Sequence, residues 1–551
     1  MSRAWVTLAL AGILAFYGLF QVRAFVPAYT EVDPDGYLVL AKRIAHWQSP
    51  ALPDDLFLYN THVWVENAAG SVVPKFAPGY PAILALVYRV LGDEGMFYVS
   101  PVMGGLALIG AFVLFRLWLS PVSSLFAVTT LAVNGAFLFY SSYLLPHAAE
   151  VCVVTWGMAA LWWWLREPRV GRGVAAGLLL GSACTIRHTG ALLVFAVAWA
   201  LVSAGLAVRR RGTGGWAPLV ALTLAYAVFP LAMLVYNAVL FGSPVVTGYA
   251  LSDEQIPLSW RRVFLPAAGQ RAPAFSWDAL AANSTNLLHG LNYELLFMVF
   301  PLGLLGMVFV GPPRERVLRV LWWLPLFVIY AAYYFSPPNL AGYRFLLVVA
   351  PLFVGAAYLL LERVTLGGAA SPVLMAVVPL AVAVAGFGPI ERTLVYGPRT
   401  SGQAIAVAAR RAGAALQPDA VIFASPPMHQ HLGARAEFRV YATPAFTADY
   451  GLQIEDESSG MQASRRDRLL GLYQADDTAL RALQQEKIRT FLEHGRQVVF
   501  LVPPAEADDV QRVAVPDGYM IKRVDEWEAP GGGRWGLYAV IPLPPPGALR
   551  R

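Results

Sequence analysis

Four small groups of ionisable residues stand where apolar segments of this chain begin or end. Glu31, Asp33 and Asp35 lie within EVDPDGYLVLAKRI. Two carboxylates one residue apart could hold a divalent cation such as Mg or Mn, or one could act as general base toward a hydroxyl. The bland alternative is a helix start, with a turn at Asp33-Pro34 and Asp35 as N-cap of a helix from Tyr37 to Ile44. Lys75 sits in PKFAPGYP, where Pro74, Pro78 and Pro81 stiffen an extended lead-in. Its ammonium could meet a lipid phosphate as a point charge, or snorkel to headgroups. His147 and Glu150, in LLPHAAEV, are three apart and share one helix face. A carboxylate just inside a span is costly and points to function, although a helix N-terminus also favours it. Tyr343-Arg344, in NLAGYRFLLVVAP, offers a planar fork for phosphate or pyrophosphate, or an interfacial anchor. Arg187-His188 is a weaker version of the same pattern.

The solvent in which these charges must be judged follows from composition. A chain of 551 residues that is 57% hydrophobic and 14% charged, with mean hydropathy +0.53, is that of an integral membrane protein. Cys152 and Cys184 fall inside apolar segments without motif spacing, so they read as packing residues rather than a disulfide framework or metal site. A net charge of +6 is ordinary for a polytopic protein with arginine-rich inner loops and does not point to nucleic acid. The lysines are Lys42, Lys75, Lys487 and Lys522, so arginine is the usual cation and Lys75 stands out.

The elements that must position these groups are apolar helices. Ala4 to Val26 is long enough to cross about 30 Å of hydrocarbon and reads as a retained anchor with a cytoplasmic N-terminus. Tyr80 to Leu91 is too short to span and is placed in the outer interface. The runs 96–117, 122–140, 148–165, 173–186, 189–208, 216–241, 291–310, 320–334, 345–361 and 372–387 then alternate so that every strongly basic connection, such as Arg209-Arg210-Arg211, faces the cytoplasm. The expected architecture is a polytopic α-helical membrane protein of about eleven spans, with polar connections 27–95, 242–290 and 335–344 on the outer face. Residues 391–551 have soluble character, with strand-like runs at 421–425, 438–444, 497–504, 519–524 and 537–543 and a helical period over Asp477–His494. These predict an extra-membrane α/β domain on the outer face.

Under an orientation chosen only from inner-loop arginines, the carboxylates, Lys75, Glu150 and Arg344 all come out on one side, at the ends of different spans. At this point the chain resembles the polyprenyl-linked GT-C glycosyltransferases, in particular the protein O-mannosyltransferases and the lipid A aminoarabinose transferases. The resemblance rests on DPDGYLVLA, the long first outer loop, PKFAPGYP, the turn SSYLLPHAAE and the span GYRFLLVVAP, and covers residues 1–390. It carries the first-loop aspartate of the family to Asp33, four residues before Tyr37, with Asp35 as competitor. Lys75 matches the family's Lys-Pro-Pro only in part, because Phe76-Ala77 intervene. The second-loop acid is carried to Glu150 and the late arginine to Arg344. Residues 391–551 match no module.

The resemblance implies an inverting transfer of a hexosyl or pentosyl unit from a polyprenyl-phosphate donor to a hydroxyl of a glycan, lipid or protein, at the extracytoplasmic face of the cell membrane. Asp33 or Asp35 would be the base, Lys75, Arg344 and Tyr343 would hold the donor phosphate, and His147 and Glu150 would orient the acceptor or hold a cation. Two other classes use the same charges. A transporter or flippase of an amphipathic lipid would bind headgroups without forming a bond, although matching halves with broken helices are not evident. A membrane scaffold would need the charges only for stability.

Overall fold

The computed structural model of the chain describes residues 3–25, 33–53, 63–211, 215–251, 277–332, 340–365 and 371–391. In the C-terminal part it describes 398–417, 419–424, 439–442, 477–503, 515–528 and 534–544, with a few single residues between. In chain order the first helices are α1 (Arg3–Ala24), α2 (Asp33–Ala45), α3 (Gly79–Phe97), α4 (Val99–Trp118), α5 (Pro121–Ala132), α6 (Gly135–Ser142), α7 (His147–Arg166), α8 (Val170–Ile186), α9 (Val194–Arg211), α10 (Ala217–Phe241) and the short α11 (Gly248–Leu251). Between α2 and α3 lie β1 (Leu52–Pro53), β2 (Trp64–Glu66) and β3 (Ser71–Pro74).

Among the described residues six helical stretches are long and apolar enough to cross a membrane: α1, α4, α7, His188–Arg209, α10 and Arg344–Thr365. Two bent pairs bring the number to eight, α5 with α6 at 60° and Leu280–Leu295 with Val299–Phe309 at 111°. The chain is therefore built as a multi-pass membrane protein. Six to eight spans is fewer than the eleven expected. The apolar stretches Val170–Ile186 and Pro372–Gly386 are short, and the Pro313–Ala331 helix carries Arg314, Glu315, Arg316 and Arg319 in its first two turns. α3, which contains the stretch read as interfacial, is not among the crossing helices.

Local chemistry explains the breaks. Ser120 caps α5 by accepting from the Ser123 N–H, with Pro121 at the first helical position. Asn134 caps α6 through the Phe137 N–H (2.9 Å) and donates to the Leu295 carbonyl (2.6 Å), which ties the bend to the second broken pair. Helices close on each other where glycine recurs. Gly173, Gly177 and Gly181 form a stripe on α8, and a Cβ on the first two would stand 2.9 Å from the Pro218 carbonyl and 2.7 Å from the Leu222 carbonyl of α10. This close seam fixes where the last turn of α8 points.

One end of the bundle gathers arginines with their partners. Arg166 lies 3.9 Å from Glu315, Arg319 donates to the Val310 carbonyl (2.7 Å), and Glu362 accepts from the Ser120 N–H (2.9 Å). α7 runs from this end, at Arg166, to the other, at His147.

The C-terminal strands β4 (Val421–Ala424), β5 (Arg439–Ala442), β6 (Val498–Val502), β7 (Tyr519–Glu528) and β8 (Arg534–Pro542) form one mixed sheet in the order β5-β4-β6-β8-β7. The first three are parallel and the last two antiparallel additions. Alternation along β4 and β6 sends Ile422, Ala424, Val499 and Leu501 toward Ala408 and Ala412 of the Pro398–Ala415 helix, and Phe423 and Phe500 toward Ile488 of the Asp477–Glu493 helix. Arg410 reaches Glu94 of α3 at 3.1 Å. The strand expected over 438–444 is found as β5 (Arg439–Ala442), with 438, 443 and 444 outside the described residues.

Candidate functional site

α7 starts after Pro146, so His147 and Glu150 both lie in its first turn, where unpaired N–H groups favour a carboxylate. Both side chains are buried. The chain leaves α8 with Arg187 extended (φ −142°, ψ 132°), and Gly190 allows the next turn to lie directly on the Ala183 backbone. That turn swings the Arg187 guanidinium over the start of α7. Its Nε stands 3.5 Å from Glu150 Oε2, its Nη1 donates to His147 Nδ1 (2.8 Å) and its Nη2 donates to the Tyr330 hydroxyl (3.3 Å). Arginine can only donate, so Nδ1 of His147 accepts and carries no proton. Thr189 completes the cluster at 2.6 Å from the Tyr330 oxygen.

Asp33 opens α2, and Arg344 opens the 3-10 turn Arg344–Val349. Arg344 Nη2 and Asp33 Oδ2 are 3.7 Å apart, a charge contact longer than a hydrogen bond. Phe345 joins the two cationic pairs. The Arg187 guanidinium lies 4.9 Å and that of Arg344 5.4 Å from its ring centroid, and the ring stacks on Tyr330 at 5.0 Å.

Lys75 is delivered by a hairpin. Asn67 Oδ1 accepts from the Ala69 and Ser71 N–H groups (3.0 Å each), turning β2 into β3, and the Lys75 N–H pairs with the Val63 carbonyl (2.9 Å). The side chain is only 2% exposed. Its Nζ lies 5.4 Å from the Tyr249 ring and 5.9 Å from the Phe76 ring. Phe76 stacks on Tyr37 of α2 at 4.2 Å, and Tyr37 meets Tyr80 edge-on at 5.4 Å. Burial pushes the Tyr37 phenol well above its usual range; Tyr249 and Asp33 add to that, while Arg187 and Arg344 oppose it. Tyr37 is thus the neutral element around which both halves of the cluster sit.

The sequence-derived candidates are distributed as follows. Asp33 and Arg344 meet each other, His147 and Glu150 meet through Arg187, and Lys75 lies against the rings of Phe76 and Tyr249, with Phe76 stacked on Tyr37. Tyr343 is buried with its ring against Gly290, so it packs the turn that presents Arg344. Asp35 lies in α2, but its side chain, like the whole of Glu31, is outside the described residues. Arg187 is the residue that sequence reasoning undervalued. Its signal was an arginine outside the basic end, attached to a short span. Tyr249, Tyr330 and Phe345 carried no signal, being aromatics in apolar surroundings.

Among the described residues no group of three or more His, Cys, Asp or Glu side chains could hold a metal ion. His147 and Glu150, one of the pairs offered for a divalent cation, both face the Arg187 guanidinium, and that charge repels a cation there. These residues do not fit such an ion as they stand.

Side chains from seven separate segments thus converge at the end of the bundle away from the arginine-rich one, and the fold that brings them together is the GT-C fold. The chain is similar to ArnT from Cupriavidus metallidurans bound to undecaprenyl phosphate, with 14% identity over 98% of both chains and a TM-score of 0.55. The same protein in the apo state gives 16% identity over 97% of this chain and 98% of that one, with a TM-score of 0.53. The apo oligosaccharyltransferase of Archaeoglobus fulgidus gives 12% identity over 90% of this chain and 70% of that one, with a TM-score of 0.49. No family model matches the chain. No curated protein matches it in sequence.

Proposed function

We propose that this chain is an inverting membrane glycosyltransferase, moving a sugar from a polyprenyl-phosphate donor to an acceptor hydroxyl at the extracytoplasmic face. The observation that carries this reading is the convergence of Asp33, Lys75, Arg187 and Arg344 at the bundle end opposite the arginine-rich one. The basic end faces the cytoplasm by the inner-loop rule, and the cluster then faces outward. The undecaprenyl phosphate bound by the ArnT structure of the same fold supports a polyprenyl phosphate as the lipid.

In this mechanism the polyprenyl chain lies between spans and the phosphate enters beside Arg344 and Lys75. Asp33, with Asp35 as the competing choice, takes the proton of the acceptor hydroxyl as that oxygen forms its bond to C1. The C1–O bond to phosphate breaks on the opposite face, and the electron pair leaves with polyprenyl phosphate, whose growing charge Lys75 and Arg344 offset. One displacement inverts the anomeric centre. Arg187 holds Glu150 and His147 in place, and their oxygen and nitrogen atoms orient the acceptor. Residues 391–551 help bind the acceptor or shield the cleft.

The test is transfer from a polyprenyl-phosphate sugar by the purified chain in vesicles. Asp33→Asn is expected to reduce transfer by about 100- to 10,000-fold while the donor still binds. Lys75→Ala is expected to abolish transfer with expression retained. Unchanged transfer in both variants sinks the assignment. Lipid movement across the bilayer without any sugar transfer in the unaltered chain establishes the transporter reading instead.

A further inference from the structure

The other end of α2, away from Asp33, carries a second polar site that the proposed reaction does not use. α2 is 13 residues long, so the two ends lie roughly 18 Å apart along the axis. There Ala45 and His46 face Tyr88, Arg89, Gly92 and Asp93 of α3 across a cavity of about 540 Å³. Asp93 of the lining, 38% exposed, is ion-paired with the buried Lys42, 1% exposed. The pair is neutral together, and the Lys42 ammonium also lies 5.3 Å from the Tyr88 ring.

The remaining charge is Arg89, and it is held rather than loose. Its Nε donates to the Ala45 carbonyl at 2.8 Å and its Nη2 reaches the same oxygen, while the guanidinium lies 5.1 Å from the Trp47 ring. One edge of the fork, Nε with Nη2, is thereby used against the Ala45 carbonyl, and Nη1 makes no hydrogen bond among the described residues. His46 Nε2 and the Tyr88 hydroxyl, 3.4 Å apart, add two more polar groups. Trp47 is 85% exposed and has φ +57°, a conformation that costs a tryptophan backbone energy and calls for a reason.

What the cavity faces follows from helix periodicity. Leu86 and Val90 lie three before and one after Arg89, and all three belong to one stripe of α3. Leu86 and Val90 are 68% and 74% exposed, and the next residue, Leu91, is 64% exposed. An apolar stripe ending in an ordered arginine, with an exposed tryptophan at its side, is the arrangement of an acyl chain lying along a helix with its headgroup at the polar end.

We propose that this cavity binds the phosphate headgroup of an anionic membrane lipid, with Arg89 as the phosphate ligand, Trp47 as its platform and the Leu86–Val90 stripe against the acyl chains. A phosphate oxygen suits the open Nη1 edge. The neutralised Lys42–Asp93 pair behind it leaves Arg89 as the uncompensated charge among the cavity's described residues, so charge complementarity favours an anion over a zwitterion. The site is independent of sugar transfer and is tested without it.

The experiment is lipid binding to the full chain in detergent, followed by native mass spectrometry and by the shift in unfolding temperature. The probes are phosphatidylglycerol, phosphatidylcholine and inorganic phosphate. The unaltered chain is expected to bind phosphatidylglycerol about tenfold more tightly than phosphatidylcholine, and Arg89→Ala to lose that preference. Trp47→Ala, at a side chain too exposed to hold the fold, is expected to weaken phosphatidylglycerol binding several-fold with unfolding unchanged in the absence of lipid. Equal binding of the two lipids by the unaltered chain overturns the proposal. So does full retention of the preference in both variants, or inorganic phosphate displacing phosphatidylglycerol at equal concentration, which makes the ligand free phosphate.

Discussion

Asp33 and Arg344 open two segments far apart in the chain, and their charged ends stand 3.7 Å from each other. A carboxylate read as a base and a guanidinium read as a phosphate ligand are therefore neighbours before any substrate arrives. Phosphate drawing Arg344 toward itself would loosen its hold on Asp33, coupling donor binding to the state of the base. Arg344→Ala is expected to raise the KM for a polyprenyl-phosphate donor at least tenfold and to lower kcat as well. Arg344→Lys is expected to recover little, because a lysine cannot offer two parallel N–H groups. Steady-state transfer kinetics with donor varied decide this.

Arg187 predicts a stability effect that is separable from chemistry. Removing it leaves Glu150 buried and unpaired, a loss of about 3–5 kcal/mol. Arg187→Ala is expected to lower the unfolding temperature in detergent clearly, and Arg187→Ala combined with Glu150→Gln is expected to be more stable than Arg187→Ala alone. Thermal unfolding of the two variants and of Glu150→Gln measures the coupling.

Gly248 bears on Lys75 through space alone. A Cβ added there would collide with the Lys75 backbone, standing 2.6 Å from its carbonyl oxygen. Gly248→Ala is expected to cut transfer nearly as far as Lys75→Ala does, with helix content by circular dichroism unchanged. Transfer at the level of the unaltered chain would show that the Lys75 backbone gives way without consequence.

The α8–α10 seam makes a contrasting prediction away from the charges. Gly177→Leu is expected to abolish stable expression, because a Cβ already stands 2.7 Å from the Leu222 carbonyl. At Gly171, where a Cβ meets nothing within 4 Å, the same change is expected to be tolerated. Yield and monodispersity after size-exclusion chromatography report the outcome.

Much of this was open to reading in the chain. The apolar runs at α1, α4, α7 and α10 announced spans because length and hydropathy are local properties, and the charges at their ends could be assigned to one end of the bundle by the distribution of arginine. The short runs were harder. Pro121–Ala132 and Gly135–Ser142 read as one straight span, and only the Asn134 cap, bonded to Leu295 from a distant segment, shows why they bend by 60°.

The sequence by itself determined that this protein meets lipid, where its helices begin, and which ionisable residues stand at their ends, because each depends on the chemistry of neighbours in the chain. Only the tertiary structure decided that Asp33 faces Arg344, that Arg187 reaches both Glu150 and His147, and that Lys75 is walled by Phe76 and Tyr249. Those contacts join residues separated by tens to hundreds of positions. They follow from the angle at which helices cross and from where a turn releases the chain, which no local pattern of residues encodes.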